Sequence, residues 1–224
     1  MITVIIPALN EELALPATLQ SLCAHSGDLQ IIVVDGGSSD STADIARQFP
    51  GVELMQAPQG RALQMNAGAA AARGDLLLFL HADTLLPSAA LELLREHSGP
   101  EEVWGGFRHR FSGSARPLRI VSALHNWRCG ITGVFYGDQA MFVSRSLFDR
   151  VGGFPAEPIL EDILLSERLL EEQPSVQLPA EVVTDSRKFE QMGPWRSFWR
   201  CLLILASYEL RLPIIGQRFF QPVR

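Results

Sequence analysis

Three short apolar runs, Ile2–Ile6, Leu29–Val34 and Leu76–Leu80, each run out into a polar cluster: Asn10-Glu11, Asp35-Gly36 and His81-Ala82-Asp83. Five or six residues are too few for a typical helix. The runs are also continuous rather than alternating, as in strands covered on both faces. Helical patterns lie between them. Glu11–His25 carries Leu15, Leu19 and Leu22 on one face, and Pro16 is tolerable there only because it falls in the first turn. Ser41–Phe49 follows Asp40, a good N-cap, and the Ala-rich Arg61–Arg73 ends at Gly74, a residue suited to the C′ position. Val52–Gln56 reads as a further strand. The resulting βαβαβαβα order, through about residue 97, predicts an α/β fold: a doubly wound, mostly parallel sheet with helices on both faces. Right-handed crossovers then put Asn10, Asp35 and Asp83 along one edge, at the strand C-termini where such sheets bind ligands.

The second half is less regular. Glu102–Phe111 and Gln139–Val143 read as strands, Pro117–Trp127 and Glu161–Glu172 as helices, and Pro194–Leu212 as an aromatic-rich helix. With no repeat or linker, residues 1–224 are expected to form one domain, with halves at 1–97 and 98–183 and a basic tail at 184–224. A hydrophobic content of 47% excludes a disordered chain, and a net charge of −6 argues against nucleic-acid binding. The charge is uneven: residues 184–224 hold seven basic and three acidic side chains, which leaves −10 on residues 1–183. Cys23, Cys129 and Cys201 lack disulfide or zinc spacing, as expected of reduced thiols in the cytoplasm. Met1–Glu12 has no positive n-region, and the apolar stretch Cys201–Tyr208 is far shorter than a membrane span, so neither a signal peptide nor a spanning helix is expected.

Four clusters could carry chemistry. Asp35-Gly36-Gly37-Ser38-Ser39-Asp40 ends a strand and opens a helix, so Asp35 could accept hydrogen bonds from a base or ribose; an ordinary turn capped by Asp40 is equally consistent. His81 and Asp83 project the same way and could share a divalent cation, or else hydrogen-bond locally. Glu161-Asp162 opens a helix whose N-terminus would keep a carboxylate ionised, as a general base must be; plain helix-start acids fit too. Gly137-Asp138-Gln139 sets an acid beside a strand. In the tail, Arg196, Arg200, Ser207 and Arg211 share a face opposite Phe198, Trp199, Leu202 and Leu205. That pattern suits a helix lying on anionic lipid, and equally a covering helix with a solvated arginine face. His25, His97, His109 and His125 are assigned no role, and Trp104 and Trp127 read as core or interface residues.

The order of these clusters, with Gly60-Arg61 and Asn66-Ala67-Gly68 between them, resembles a family 2 glycosyltransferase with the GT-A fold, of the short stand-alone bacterial type. The resemblance implies that Pro7, Asn10, Glu11, Asp35, Arg61, Asn66, His81 and Ala82 bind a nucleotide-diphosphate sugar, with Asp35 on the base, typically uracil. Asp83 matches the last acid of the family's metal motif for Mn²⁺ or Mg²⁺. His81 stands where that motif has its first acid and still offers a ligand nitrogen. Asp162, beside Glu161, matches the general base of inverting transfer. Gly137, Asp138 and Gln139 fall where acceptor residues lie, and Trp195 sits in a segment that loosely resembles a QxxRW element. The basic, aromatic tail makes a lipid-linked acceptor and peripheral contact through residues 194–212, at the inner face of a membrane, a reasonable expectation. A degenerate nucleotide-sugar-binding scaffold is the alternative that His81 supports. A sugar-phosphate nucleotidyltransferase would want a glycine-rich, basic loop that Met1–Ala14 lacks.

Overall fold

The computed structural model describes residues 1–25, 28–99, 101–157 and 159–209. Its first half follows the expected alternation: β1 (Ile2–Ala8), α1 (Leu15–Cys23), β2 (Leu29–Asp35), α2 (Thr42–Gln48), β3 (Val52–Gln56), α3 (Arg61–Ala71), β4 (Leu76–Phe79) and, after a two-residue strand β5 (Thr84–Leu85), α4 (Ala90–His97). The second half contains β6 (Trp104–Phe111), α5 (Arg116–Thr132), a 3₁₀ turn at Gly137–Gln139, β7 (Phe142–Ser144), α6 (Arg145–Arg150), α7 (Glu161–Glu172), β8 (Val176–Thr184), α8 (Arg187–Met192) and α9 (Pro194–Glu209). Of the expected tail helix, residues 210–212 lie outside the described residues.

One eight-stranded sheet runs in the order β3-β2-β1-β4-β7-β6-β8-β5. β1, β2, β3 and β4 pair in parallel; β7 then adds antiparallel to β4, β6 antiparallel to β7, β8 parallel to β6 and β5 antiparallel to β8. The apolar runs are continuous because each strand feeds both faces. Val4 and Ile6 pack with Leu15, Leu19 and Leu91 on one side, whereas Ile5, Ile32 and Leu77 pack with Met65, Phe148 and Leu165 on the other. Pro7, which has no N–H to donate, is accommodated in this central strand because its pairing with β4 covers only Ile2–Ile5.

Several local expectations are corrected. Ser41 rather than Asp40 is the N-cap of α2, but the Asp40 carboxylate still accepts from the backbone N–H groups of Thr42 and Glu12. Gly74 does not cap α3, which ends in extended backbone at Ala72. A Cβ at Gly74 would meet the Met1 carbonyl oxygen at 2.7 Å, so close chain approach demands the glycine. Gln139–Met141 is not strand: Gln139 closes the 3₁₀ turn and Ala140 has φ +48°, so β7 begins only at Phe142. Sequence patterning also missed β8. That strand pairs in parallel with β6, and its register slips between Phe107↔Leu178 and Arg108↔Glu181. Pro179 and Ala180 fall in the register slip, where a proline removes no bond from the β6 ladder.

Candidate active site

The sheet edge formed by the C-terminal ends of β1, β2 and β4 carries two adjoining groups of polar residues. In the first, Asp35 is buried and accepts from the N–H groups of Gly37 and Ser38 and from the Ser38 hydroxyl. Asn10, at φ +55°, accepts from the Ser39 N–H through Oδ1, while its own N–H bonds the Ser38 hydroxyl. The Glu11 N–H donates to Thr42 Oγ1. Two loops are thus laced together at the ends of neighbouring strands. Beneath them, the fully inserted Gln64 donates to the carbonyls of Ala8 and Val34 and fixes both strand ends. Burial pushes the Asp40 carboxyl up, but the donors from Thr42 and Glu12 outweigh it and hold the group below its usual value.

The second group brings together residues far apart in sequence. Arg61, at the start of α3, bonds Glu161 at the start of α7 at 3.1 Å; the arginine side chain is 40% exposed and the glutamate only 2%. Glu161, then Asp162 and Asp83, draw on the guanidinium and outweigh its burial. Asp162 accepts from the Gly137 N–H at 2.6 Å and from the Ile163 N–H at 2.8 Å. Space around Gly137 is tight: a Cβ there would lie 2.5 Å from His81 Nε2 and 3.4 Å from Asp162 Oδ2. Arg61, His81, Asp83, Gly137, Asp138, Glu161 and Asp162 therefore surround one small region.

Charge states follow from this crowding. Burial and the neighbouring Glu161 push the Asp162 carboxyl up to about 6, against the pull of the Gly137 N–H and Arg61. The helix N-terminus, expected to keep this group strongly ionised, is therefore overridden, and the carboxylate is poised just below neutrality. Asp138 moves the other way: burial raises it, but His109, His125, His81 and Arg61 together hold it below its usual value. Burial lowers His125 to about 4, with His109 and Arg128 adding to the effect and Asp138 opposing it.

Other expected residues have different jobs. Asn66 donates to the Phe154 carbonyl and accepts from the Phe154 N–H, so its amide ties α3 to the loop before α7. Gln139 is fully buried and bonds the Tyr136 N–H and the Phe107 carbonyl, holding the turn from within. Ala82 is buried and Pro7 half-buried behind the edge. Trp195 is 57% exposed on the first turn of α9, stacked edge-to-face on Phe198. Ser207 is buried and bonded to the Leu203 carbonyl, so it does not share a solvated face with Arg196; Arg211 lies outside the described residues. Among the described residues, no helix is long and apolar enough to cross a membrane.

As to metals, Asp83 belongs to no group of three His, Cys, Asp or Glu ligand atoms among the described residues; the one such group is His109, His125 and Asp138, whose ligand atoms lie within 4.8 Å of one another. Sequence patterning alone gives His109 and His125 no role. No local pattern announces them, because β6, α5 and the turn meet only in the folded chain.

The fold is that of a GT-A glycosyltransferase. Mannosyltransferase PcManGT from Pyrobaculum calidifontis, solved with GDP-Man and Mn²⁺, superposes with a TM-score of 0.69 at 22% identity over 95% of this chain and 64% of that one. S. aureus TarS gives 0.66 at 18% over 97% and 67%. A family model described as glycosyl transferase family 2 matches residues 3–152, and the chain belongs to that family. The PGL/p-HBAD biosynthesis glycosyltransferase of Mycobacterium bovis is 33% identical over 176 residues, 69% of this chain and 63% of the relative. The 4,4'-diaponeurosporenoate glycosyltransferase of Staphylococcus haemolyticus is 33% identical over 130 residues, 54% and 32%. The chain thus spans less than two thirds of the length of these curated relatives.

Proposed function

We propose that this chain is an inverting glycosyltransferase that moves a sugar from a nucleotide-diphosphate donor, UDP-linked by preference, to an acceptor hydroxyl. The observation that carries this reading is the poised carboxylate of Asp162, held by the Gly137 N–H beside Arg61 and His81 at the edge that also bears Asp83. The nucleoside end of the donor lies against the Asn10 and Asp35 loops, and the half-exposed Arg61 faces the diphosphate. Asp162 accepts the proton of the acceptor hydroxyl while that oxygen attacks the anomeric carbon. The nucleoside diphosphate departs from the opposite face, so the carbon inverts.

The donor set fits a divalent cation. Asp83 supplies an anionic oxygen and His81 an imidazole nitrogen two residues away, and one carboxylate plus substrate phosphates is an ordinary way to hold Mg²⁺ or Mn²⁺. When bound there, such an ion offsets the charge that develops on the leaving diphosphate.

An acceptor dissolved in or attached to a membrane is favoured by one surface. On α5, Ile120, Leu124, Trp127 and Ile131 repeat at helical spacing and are 42–66% exposed; Trp195, Trp199 and Leu203 on α9 are 57–61% exposed. Arg116–Thr132 contains arginines and no acid, as a surface meeting anionic lipid requires. Vesicle flotation should show binding that depends on anionic lipid and weakens in Trp127→Ser; no flotation in any lipid would remove this part of the reading.

The function is tested by incubating wild type, Asp83→Asn and Asp162→Asn with a panel of nucleotide sugars, Mn²⁺ and a lipid extract. Transfer with inversion, reduced at least about 100-fold in Asp162→Asn, is expected. Retained configuration would overturn the inverting step. Nucleotide binding without transfer to any acceptor would favour a binding scaffold.

A further inference from the structure

Behind the catalytic edge, three side chains from three elements point their ligand atoms at one another. His109 projects from β6 and is fully buried; His125 projects from α5; Asp138 sits in the turn at Gly137–Gln139. Their placement is built. Asn126, the residue after His125, accepts from the His109 N–H at 2.8 Å and donates to the His109 carbonyl at 2.9 Å, which locks α5 onto β6 with the two imidazoles adjacent. Phe111 packs edge-to-face on His109, and Tyr136 stacks on His125 at 4.7 Å, so neither ring is loosely held.

The spacing is wrong for a hydrogen-bonded network. Asp138 Oδ2 lies 3.5 Å from His109 Nε2 and 3.9 Å from His125 Nδ1, beyond good hydrogen-bond length. Both ring nitrogens of His109, His125 Nδ1 and Asp138 Oδ1 are buried with no hydrogen-bond partner. Leaving four such atoms unsatisfied is costly, and a native fold satisfies them with a bound water or an ion. The three ligand atoms lie within 4.8 Å of one another, and ligand bonds of about 2.0–2.2 Å at tetrahedral angles need them about 3.3–3.6 Å apart, so these side chains require a contraction of at most about 1.5 Å to close on a metal.

We infer that His109, His125 and Asp138 form a second metal site, distinct from the donor cation's place at Asp83, for a borderline first-row ion of the Zn²⁺ class. Two imidazoles and one carboxylate select Zn²⁺, Co²⁺ or Fe²⁺ over Mg²⁺ or Ca²⁺, which prefer oxygen ligands. The ion would cross-link β6, α5 and the turn whose Gly137 N–H holds Asp162. It therefore positions that carboxylate through the turn. This inference does not depend on glycosyl transfer.

The test uses the full chain, stripped with chelator and kept free of nucleotide. Zn²⁺ is titrated against a chromophoric chelator, and Co²⁺ is followed by its visible ligand-field bands. Wild type and Asp83→Asn should each bind one tight equivalent and show tetrahedral-type Co²⁺ absorption. His125→Asn should lose those bands and bind Zn²⁺ at least about 100-fold more weakly, since altering even an outer partner costs 10–100-fold. His109→Asn serves as a second variant, and circular dichroism monitors folding of each. Wild type that is folded yet binds neither ion would overturn the site, as would Co²⁺ bands that persist in both histidine variants or vanish in Asp83→Asn.

Discussion

Replacing Asp162 by Asn should make the protein more stable while removing its activity, and the gain should depend on pH. The carboxyl titrates near 6 in the fold against 3.8 in an unconstrained chain, because burial and Glu161 oppose its charge. A raised carboxyl pKa means that the folded state binds the extra proton. Its stabilising contribution is therefore complete below about pH 3.8 and is lost as pH rises through about 6. The difference of about 2 pH units corresponds to about 3 kcal/mol of penalty on the ionised form at pH 8. Asn has nearly the same shape and carries no charge, although its single amide oxygen keeps only one of the bonds from the Gly137 and Ile163 N–H groups, which makes the full penalty an upper bound on the gain. Urea unfolding at pH 8 should show Asp162→Asn more stable by up to about 3 kcal/mol, and at pH 4 the two proteins should nearly coincide. A variant less stable than wild type at pH 8, or a gain unchanged between the two pH values, would refute the reasoning.

Transfer itself should rise with pH through about 6 and level off above 7, since only the ionised Asp162 can take a proton; initial rates at saturating donor between pH 5 and 8 check this. Gly105→Ala should prevent folding or cost more than about 3 kcal/mol, because the added Cβ would fall 1.8 Å from the Val176 carbonyl oxygen in the β6–β8 pairing; thermal unfolding reads the outcome. Asn66→Ala should destabilise by about 1–3 kcal/mol through the orphaned Phe154 backbone while donor affinity falls little, as denaturation and nucleotide titration would reveal; a large loss of affinity at unchanged stability would return Asn66 to the donor site.

How legible the fold was in the sequence depended on burial symmetry. β1, β2 and β4 announce themselves because each side of the sheet is covered, so both faces are apolar. β8 was invisible because Pro179 interrupts it, and only the bulge against β6 makes room for that residue. Glu161-Asp162 stood out as a helix start, and the pairing of Glu161 with Arg61 required the crossover that brings α3 beside α7. Asn66 stands among motif residues, and its two bonds to the Phe154 backbone appear only in the folded chain. His109 and His125, sixteen positions apart on different elements, meet Asp138 through the Asn126 clamp, and no spacing rule predicts that.

The most direct test of the central claim is calorimetric titration of the folded chain with UDP, GDP, CDP and ADP, each with and without Mn²⁺. The account predicts selective binding of one diphosphate, UDP foremost, that depends on the metal and is lost in Asp83→Asn. Binding of none of the four by folded protein would contradict it.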